Sequence, residues 1–338
     1  MKGRHAIGVA ATLLFTLLTA CDAPGPMWFW MRPESNFARI LQDLFTQIVV
    51  LAVVVFVIVE GALLWAILRF RAESSTRVPT QTHGNTRMEI AWTIAPTLVL
   101  VAIAVPTVRT VFETYNPPKV ANPIRIVAVG HQWWWEFQYP DLNIITANEI
   151  VFPAGQQVNL EIKSADVVHA FWIPKLGGKR DAIPMRTNVL WWTADQPGTY
   201  YGQCTQLCGT SHANMRLRAI VKTDAEWQAW LSAMGSATGV PPSRAPENVQ
   251  RGYQLVSTGA CIGCHAIKGT SLVARAGPDL TRFGDRITLG SGLYPNDEAH
   301  LIAWLRDPQG SKPGNKMPNL GLSDEDAAAI AAYLHSLK

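Results

Sequence analysis

A chain of 338 residues, 48% apolar and only 16% charged, is long enough for several domains and too poor in charge to be wholly soluble. The net charge is +4, from 29 basic and 25 acidic residues, with no basic run, which argues against nucleic acid as a partner. The five cysteines (Cys21, Cys204, Cys208, Cys261 and Cys264) each fall in a distinct local setting, leaving none for an ordinary disulfide framework.

At the N-terminus, Lys2, Arg4 and His5 precede an apolar run from Ala6 to Leu18 that ends in Leu18-Thr19-Ala20-Cys21. A basic start, a short apolar core and small residues at the cut form an export signal. A cysteine just after the cut resembles a bacterial lipobox. That resemblance implies a lipoprotein signal peptide over 1–20 and a lipidated Cys21 at the mature N-terminus. A buried Cys in a plain signal peptide is the simpler alternative. Asp22 resembles the residue that retains lipoproteins at the inner membrane of enteric-type bacteria.

Two apolar stretches follow. Ile48 to Leu68 is broken only by Glu60, and Ile90 to Val108 carries no charge. At about 1.5 Å per residue each reaches roughly 30 Å, enough to cross a bilayer. Pro96 and Pro106 are tolerated in a membrane helix. A transmembrane hairpin is expected over 21–112, with spans at about 45–69 and 90–112. Arg69, Arg71, Arg77 and Arg87 lie between the spans, against two basic residues before the first and three shortly after the second. This bias places the connecting loop in the cytoplasm and everything after Arg109 on the periplasmic side. Glu60 has no role assignable from its neighbours beyond pairing with another membrane helix. Glu89, at the cytoplasmic mouth of the second span, reads on its own as a snorkelling carboxylate.

From Pro123 the pattern turns to short β-type runs: Ile124–Val129, Val158–Ile162 and Gly198–Tyr201, punctuated by Gly and Pro. An all-β barrel or sandwich is expected over 122–223. Residues 224–246 read as a connector, with a short helix over Asp224–Met234 followed by Gly235–Pro246, a linker by composition. Residues 247–338 show helical periodicity at 248–257, 298–306 and 323–337, with Ser323 and Asp326 placed as an N-cap pair. The expected class is therefore multidomain: a two-span helical hairpin, an all-β domain and an all-α domain.

The densest chemical constellation is Cys204-Thr-Gln-Leu-Cys208-Gly-Thr-Ser-His212-Ala-Asn-Met215, with His169 upstream. Two thiolates, two imidazoles and a thioether favour copper, and a second cysteine lets two thiolates bridge two copper ions. Structural zinc would not need Met215, and a disulfide would not need the histidines. Further on, Cys261-Ile-Gly-Cys264-His265 is the signature of covalent haem attachment, with His265 as proximal ligand. A thioredoxin-like pair competes, but the helical surroundings and the histidine argue against it. Met317, in Asn315-Lys316-Met317-Pro318, is the sole methionine after Met234 and the candidate distal ligand, with His300 or His335 as weaker alternatives.

These residues carry a resemblance. The stretch from Ala91 to Val221, with Gly130-His-Gln-Trp-Trp-Trp-Glu136, Asp166-Val-Val-His169, Asp181-Ala-Ile-Pro184 and Tyr200-Tyr-Gly-Gln-Cys204, resembles cytochrome c oxidase subunit II. Residues 247–338, with Gly277-Pro278-Asp279-Leu280 and Trp304, resemble a class I cytochrome c, and the fusion resembles the caa-type oxidases. The resemblance implies a cupredoxin-like barrel holding binuclear copper A through His169, Cys204, Cys208, His212, Met215 and the backbone carbonyl of Gln206. It implies one covalent haem c on Cys261, Cys264, His265 and Met317, and a carbonyl of Pro278 that orients His265. Trp133 becomes the candidate for passing electrons to copper, although adjacent tryptophans also simply pack cores. Glu89 matches a glutamate that opens a proton path into subunit I. The family usually has Glu where this chain has Gln206, which leaves a Mg²⁺ site shared with subunit I in question.

The implied function is electron input to an aerobic respiratory oxidase of the bacterial inner membrane. Subunits I and III, membrane lipid, and a cytochrome c or another periplasmic donor would be its partners. Dioxygen would be reduced in subunit I, so no catalytic residue is expected in this chain. A stand-alone, membrane-anchored periplasmic electron-transfer protein is the alternative, against which the two spans and the subunit-facing Asp181 and Arg186 weigh. A quinol oxidase subunit would lack the copper ligands. A nitrous oxide reductase would need more than the eight histidines present.

Overall fold

The computed structural model describes residues 32–70, 81 and 83–338. The export signal, Cys21, Arg71 and Arg77 lie outside the described residues.

Helix α1 (Asn36–Arg69) starts on Ser35, whose hydroxyl accepts from Ala38 N. Its first turn is not in the expected span but on the β domain. Phe37 is 2% exposed and meets Trp191 edge-on at 5.1 Å, burial worth roughly 1.5–3 kcal/mol. Glu34 N bonds Lys175 O, and Arg39 pairs with Asp195. Beyond that turn the helix presents Val50, Val53, Phe56, Ile58 and Leu64 outward, as a lipid-facing surface does. Helix α2 (Thr86–Tyr115) is capped by Asn85 and runs through Pro96 and Pro106. Both helices are long and apolar enough to cross a membrane.

The β domain is two five-stranded sheets face to face. One has the order β3 (Ile144–Ala147), β2 (Trp134–Tyr139), β1 (Ile124–His131), β5 (Gln157–Ser164), β8 (Asn188–Thr193). The other runs β4 (Glu149–Pro153), β10 (Arg216–Lys222), β9 (Gly198–Cys204), β6 (His169–Trp172), β7 (Arg180–Ala182). Alternation along β1 and β5 sends Ile126, Ala128, Leu160 and Ile162 inward, where they meet Trp135, Phe171 and Trp192. Helix α3 (Asp224–Ser236) begins with a Thr223–Glu226 capping box. It is packed on the barrel rather than free: Trp227 and Met234 are buried, and Trp227 stacks on Trp230 beside Tyr139.

The rest of the connector is also fixed. Gly239 N donates to Lys268 O, Tyr333 donates to Gly239 O, and Lys268 Nζ bonds the carbonyls of Met234 and Gly235. The second core is helical: α4 (Glu247–Thr258), α5 (Glu298–Arg306), the short α6 (Pro308–Ser311) and α7 (Asp324–Ser336), with a small hairpin of β11 (Thr288–Leu289) and β12 (Tyr294–Pro295). Gly252 lets α4 cross α7 closely, since a Cβ there would lie 2.0 Å from Ala329 O. Ser323 caps α7 by accepting from Asp326 N.

Candidate metal and haem centres

The β6 start and the β9–β10 loop converge at one end of the barrel. Cys204 closes β9 and Cys208 follows in the loop, with the two Sγ atoms 3.8 Å apart, far beyond disulfide length. His169 Nδ1 lies 4.0 Å from Cys204 Sγ, and His212 Nδ1 lies 3.6 Å from Cys208 Sγ. Met215 Sδ is 4.0 Å from Cys208 Sγ, and the Gln206 carbonyl is 3.3 Å from Cys204 Sγ. All six atoms expected from the sequence thus surround one small volume.

The surroundings shape that volume. Gly130 is obligatory beside it, because a Cβ there would come within 2.8 Å of the His169 ring. His169 is fully buried, and its Nε2 is held 2.8 Å from Asp166 Oδ1, which leaves Nδ1 turned to the cysteines. Burial lowers the His169 pKa, favouring the neutral, ligating imidazole. Burial alone would raise the Asp166 carboxyl, but hydrogen bonds from His169, Gln132 N and Val167 N hold it below the usual range. For Cys208, burial and then the adjacent Cys204 push the thiol up to about 12. Such a thiol ionises only beside strong positive charge, as a pair of copper ions supplies. The donor set therefore fits copper.

The helical domain closes over a cavity lined by Cys261, Cys264, His265, Gly277, Pro278, Trp304 and Met317. His265 Nδ1 bonds Pro278 O at 2.7 Å, so Nε2 is the nitrogen free for iron. Gly277 lies flat under that ring, where a Cβ would come within 2.8 Å of Cε1. Burial lowers the His265 pKa, against the Pro278 bond. Trp304 Nε1 points at Met317 Sδ, 3.2 Å away. His300 is exposed and tied to Asp297, while His335 faces Asn296 and Phe283, and neither lines the cavity. Paired cysteines, an oriented imidazole and an apolar cleft fit a covalent haem.

The β domain also contributes to this cavity, through His131, Trp133 and Trp134. His131 stacks on Trp134 at 4.2 Å, and its buried Nε2 has no protein partner, as suits a wall facing a polar group of a bound cofactor. Trp133 is 8% exposed and its Nε1 donates to Cys208 O at 3.1 Å. Trp135 is fully buried in the barrel core. The three adjacent tryptophans therefore have three different settings. Glu89 sits exposed in the first turn of α2, and Asp181 and Arg186 are exposed on the barrel.

Three residues gave no signal in the sequence. Lys312, 2% exposed, bonds Trp133 O and Ser291 Oγ. Lys316 Nζ reaches Asp166 at 3.6 Å, and Glu149 enters the helical domain.

Known proteins share these parts. Residues 31–110 match the transmembrane domain of cytochrome c oxidase subunit II, residues 142–222 its periplasmic domain, and residues 249–338 cytochrome c. Cytochrome c oxidase subunit 2 of Alkalihalophilus pseudofirmus is 39% identical over 326 residues, covering 95% of this chain and 91% of that protein. The chain belongs to the cytochrome c oxidase subunit II family. The subunit 2 of Bacillus sp. PS3 is 35% identical over 287 residues, 80% of each chain. Among solved structures, the periplasmic domain of subunit II of cytochrome oxidase from Bradyrhizobium japonicum is 35% identical, covers 35% of this chain and 96% of that one, and gives a TM-score of 0.33. Copper A and haem c are thus the cofactors of this subunit II, which is part of a haem–copper oxidase and is anchored in a membrane by its two helices.

Proposed function

We propose that this subunit II is the electron-input subunit of an aerobic haem–copper oxidase, in which haem c and binuclear copper A supply one-electron exchange and subunit I reduces O₂ to water with proton translocation. Cys261 and Cys264 would attach the haem, and His265 and Met317 would hold its iron. His169, Cys204, Cys208, His212, Met215 and the Gln206 carbonyl hold the copper pair. Asp166 orients His169, and Pro278 orients His265.

One observation supports this order of electron flow best. Trp133 lines the same cavity as Cys261 and Cys264, and its indole donates to the carbonyl of Cys208. The two cofactor sites therefore share a wall. Stopped-flow mixing of the purified oxidase with a reduced donor tests the order: haem c should reduce first and copper A next. In C208S, electrons should halt at haem c. Undiminished copper A reduction by the same donor in a haem-less C261S/C264S variant would overturn it.

In this reading the chain spans the bacterial inner membrane twice, with copper and haem domains on the periplasmic side. Glu89 opens a proton path into subunit I, subunits I and III are neighbours, and the donor is a cytochrome c or another periplasmic carrier. Gln206, lacking a carboxylate, weakens any Mg²⁺ site shared with subunit I. The mature chain begins at a lipidated Cys21, which intact-mass measurement of the membrane-extracted subunit decides.

A further inference from the structure

Glu149 opens strand β4 of the copper domain, yet its side chain belongs to the haem domain. It is 5% exposed, and each hydrogen bond to its carboxylate comes from the other domain: Ile287 N at 3.0 Å, Thr288 N at 2.9 Å and Thr288 Oγ1 at 2.8 Å. Burial pushes the Glu149 pKa up, but all three partners donate to the carboxylate and Arg286 lies nearby, which favour the ionised form. A free-standing copper barrel would lack these three donors, and desolvating a carboxylate is expensive unless it is paired.

Its charge is answered by two guanidiniums. Arg218, in register with Glu149 on β10, is 8% exposed and donates to Gly292 O at 2.9 Å. Arg286, within electrostatic reach of Glu149, bonds Asp279 O and lines the haem cavity. Thr288, Leu289, Gly290 and Ser291 line it too, so the segment that Glu149 grips is the cavity wall.

We propose that Glu149 is a positioning residue of the haem site, seating residues 286–288 against the copper domain and holding an anion opposite Arg286, so that its charge lowers the haem c potential. The proposal rests on the haem assignment made above. A cation at the cavity wall favours the reduced, less positive haem. A carboxylate paired with that cation offsets the effect. One side chain then contributes both to the docking of the two domains and to the redox poise of the donor site.

The test is a redox titration of haem c, followed optically in the assembled oxidase. E149Q keeps the size and removes the charge, and its haem c potential should rise while the copper A resonance stays unchanged. T288V loosens the same seat without altering charge and should leave the potential unmoved. An unchanged potential in E149Q overturns the proposal, as does an equal shift in T288V. If E149Q does not assemble, E149D, which withdraws the charge by one methylene, should shift the potential less and in the same direction. No shift in E149D then counts against the proposal. Wild-type enzyme without covalent haem would sink the haem assignment itself. Normal haem with an unmoved potential sinks only the role of Glu149.

Discussion

Lys312 Nζ donates a hydrogen bond to the carbonyl oxygen of Trp133, 2.5 Å away and 179 positions earlier in the chain. The Lys312 amino group, its pKa pulled down to about 7 by burial, also meets Ser291 Oγ at 2.8 Å and Gly290 O at 3.3 Å, and Ser291 Oγ in turn donates to Trp133 O. The residue between the two cofactor sites is therefore held from the haem side.

Replacing Lys312 by Met keeps the stem and removes every donor. Leaving these acceptors short of partners should loosen the domain contact by about 1–3 kcal/mol. Haem and copper spectra should persist, while copper A reduction after haem c reduction slows. An unaltered rate in stopped-flow would show that Lys312 does not position Trp133.

Asp166 holds His169 from behind and also receives Lys316 across the domain boundary. D166N keeps the shape but weakens the bond that fixes the ring. Copper affinity should fall roughly 10–100-fold, the usual loss when such a supporting partner is removed. Copper retention under a graded chelator, compared with wild type, measures it.

Gln206 should matter through its backbone and not its side chain. Its carbonyl lies against Cys204 Sγ within the loop between the two cysteines. Q206A should keep two coppers and the mixed-valence resonance, whereas C208S should lose them, because oxygen is a harder and poorer bridge than sulfur. Copper counting and electron paramagnetic resonance on the whole oxidase compare the two. Equal copper loss would refute the carbonyl assignment, and added Mn²⁺ binding in Q206E would show what the native glutamine removes.

Met317 lines the haem cavity beside Trp304, apart from the attachment cysteines. M317A should retain the covalent haem, lose the sulfur–iron band in the far red and lower the potential. An identical spectrum and potential would exclude Met317 as ligand.

Local patterns were the legible part of this chain. Cys261 to His265 and Cys204 to Met215 are short runs whose chemistry is fixed by spacing, and the folded chain brings each set around one volume. Ser323 could be placed as a cap because the cap and its N–H partner are three residues apart. Contacts between domains left no such trace. Glu149 looks like an acidic break at the start of an apolar strand, and Lys312 like a loop lysine, until the domain 138 to 179 residues away is in place. The first turn of α1 was equally hidden. Phe37 reads as the approach to a membrane span, and only the position of Trp191 makes it part of the barrel core.

Gly239, clipped between Lys268 and Tyr333, leaves little slack in the connection to the haem domain. A soluble cytochrome meets its acceptor by diffusion, at a rate that rises with its concentration and falls as salt screens the attraction. A donor held on the acceptor's face replaces that encounter with an effective concentration set by geometry. On the relay proposed above, transfer inside this subunit would be indifferent to ionic strength and to how much free carrier the cell makes. Sensitivity to both would move outward, to the encounter between the haem domain and whatever donor reduces it.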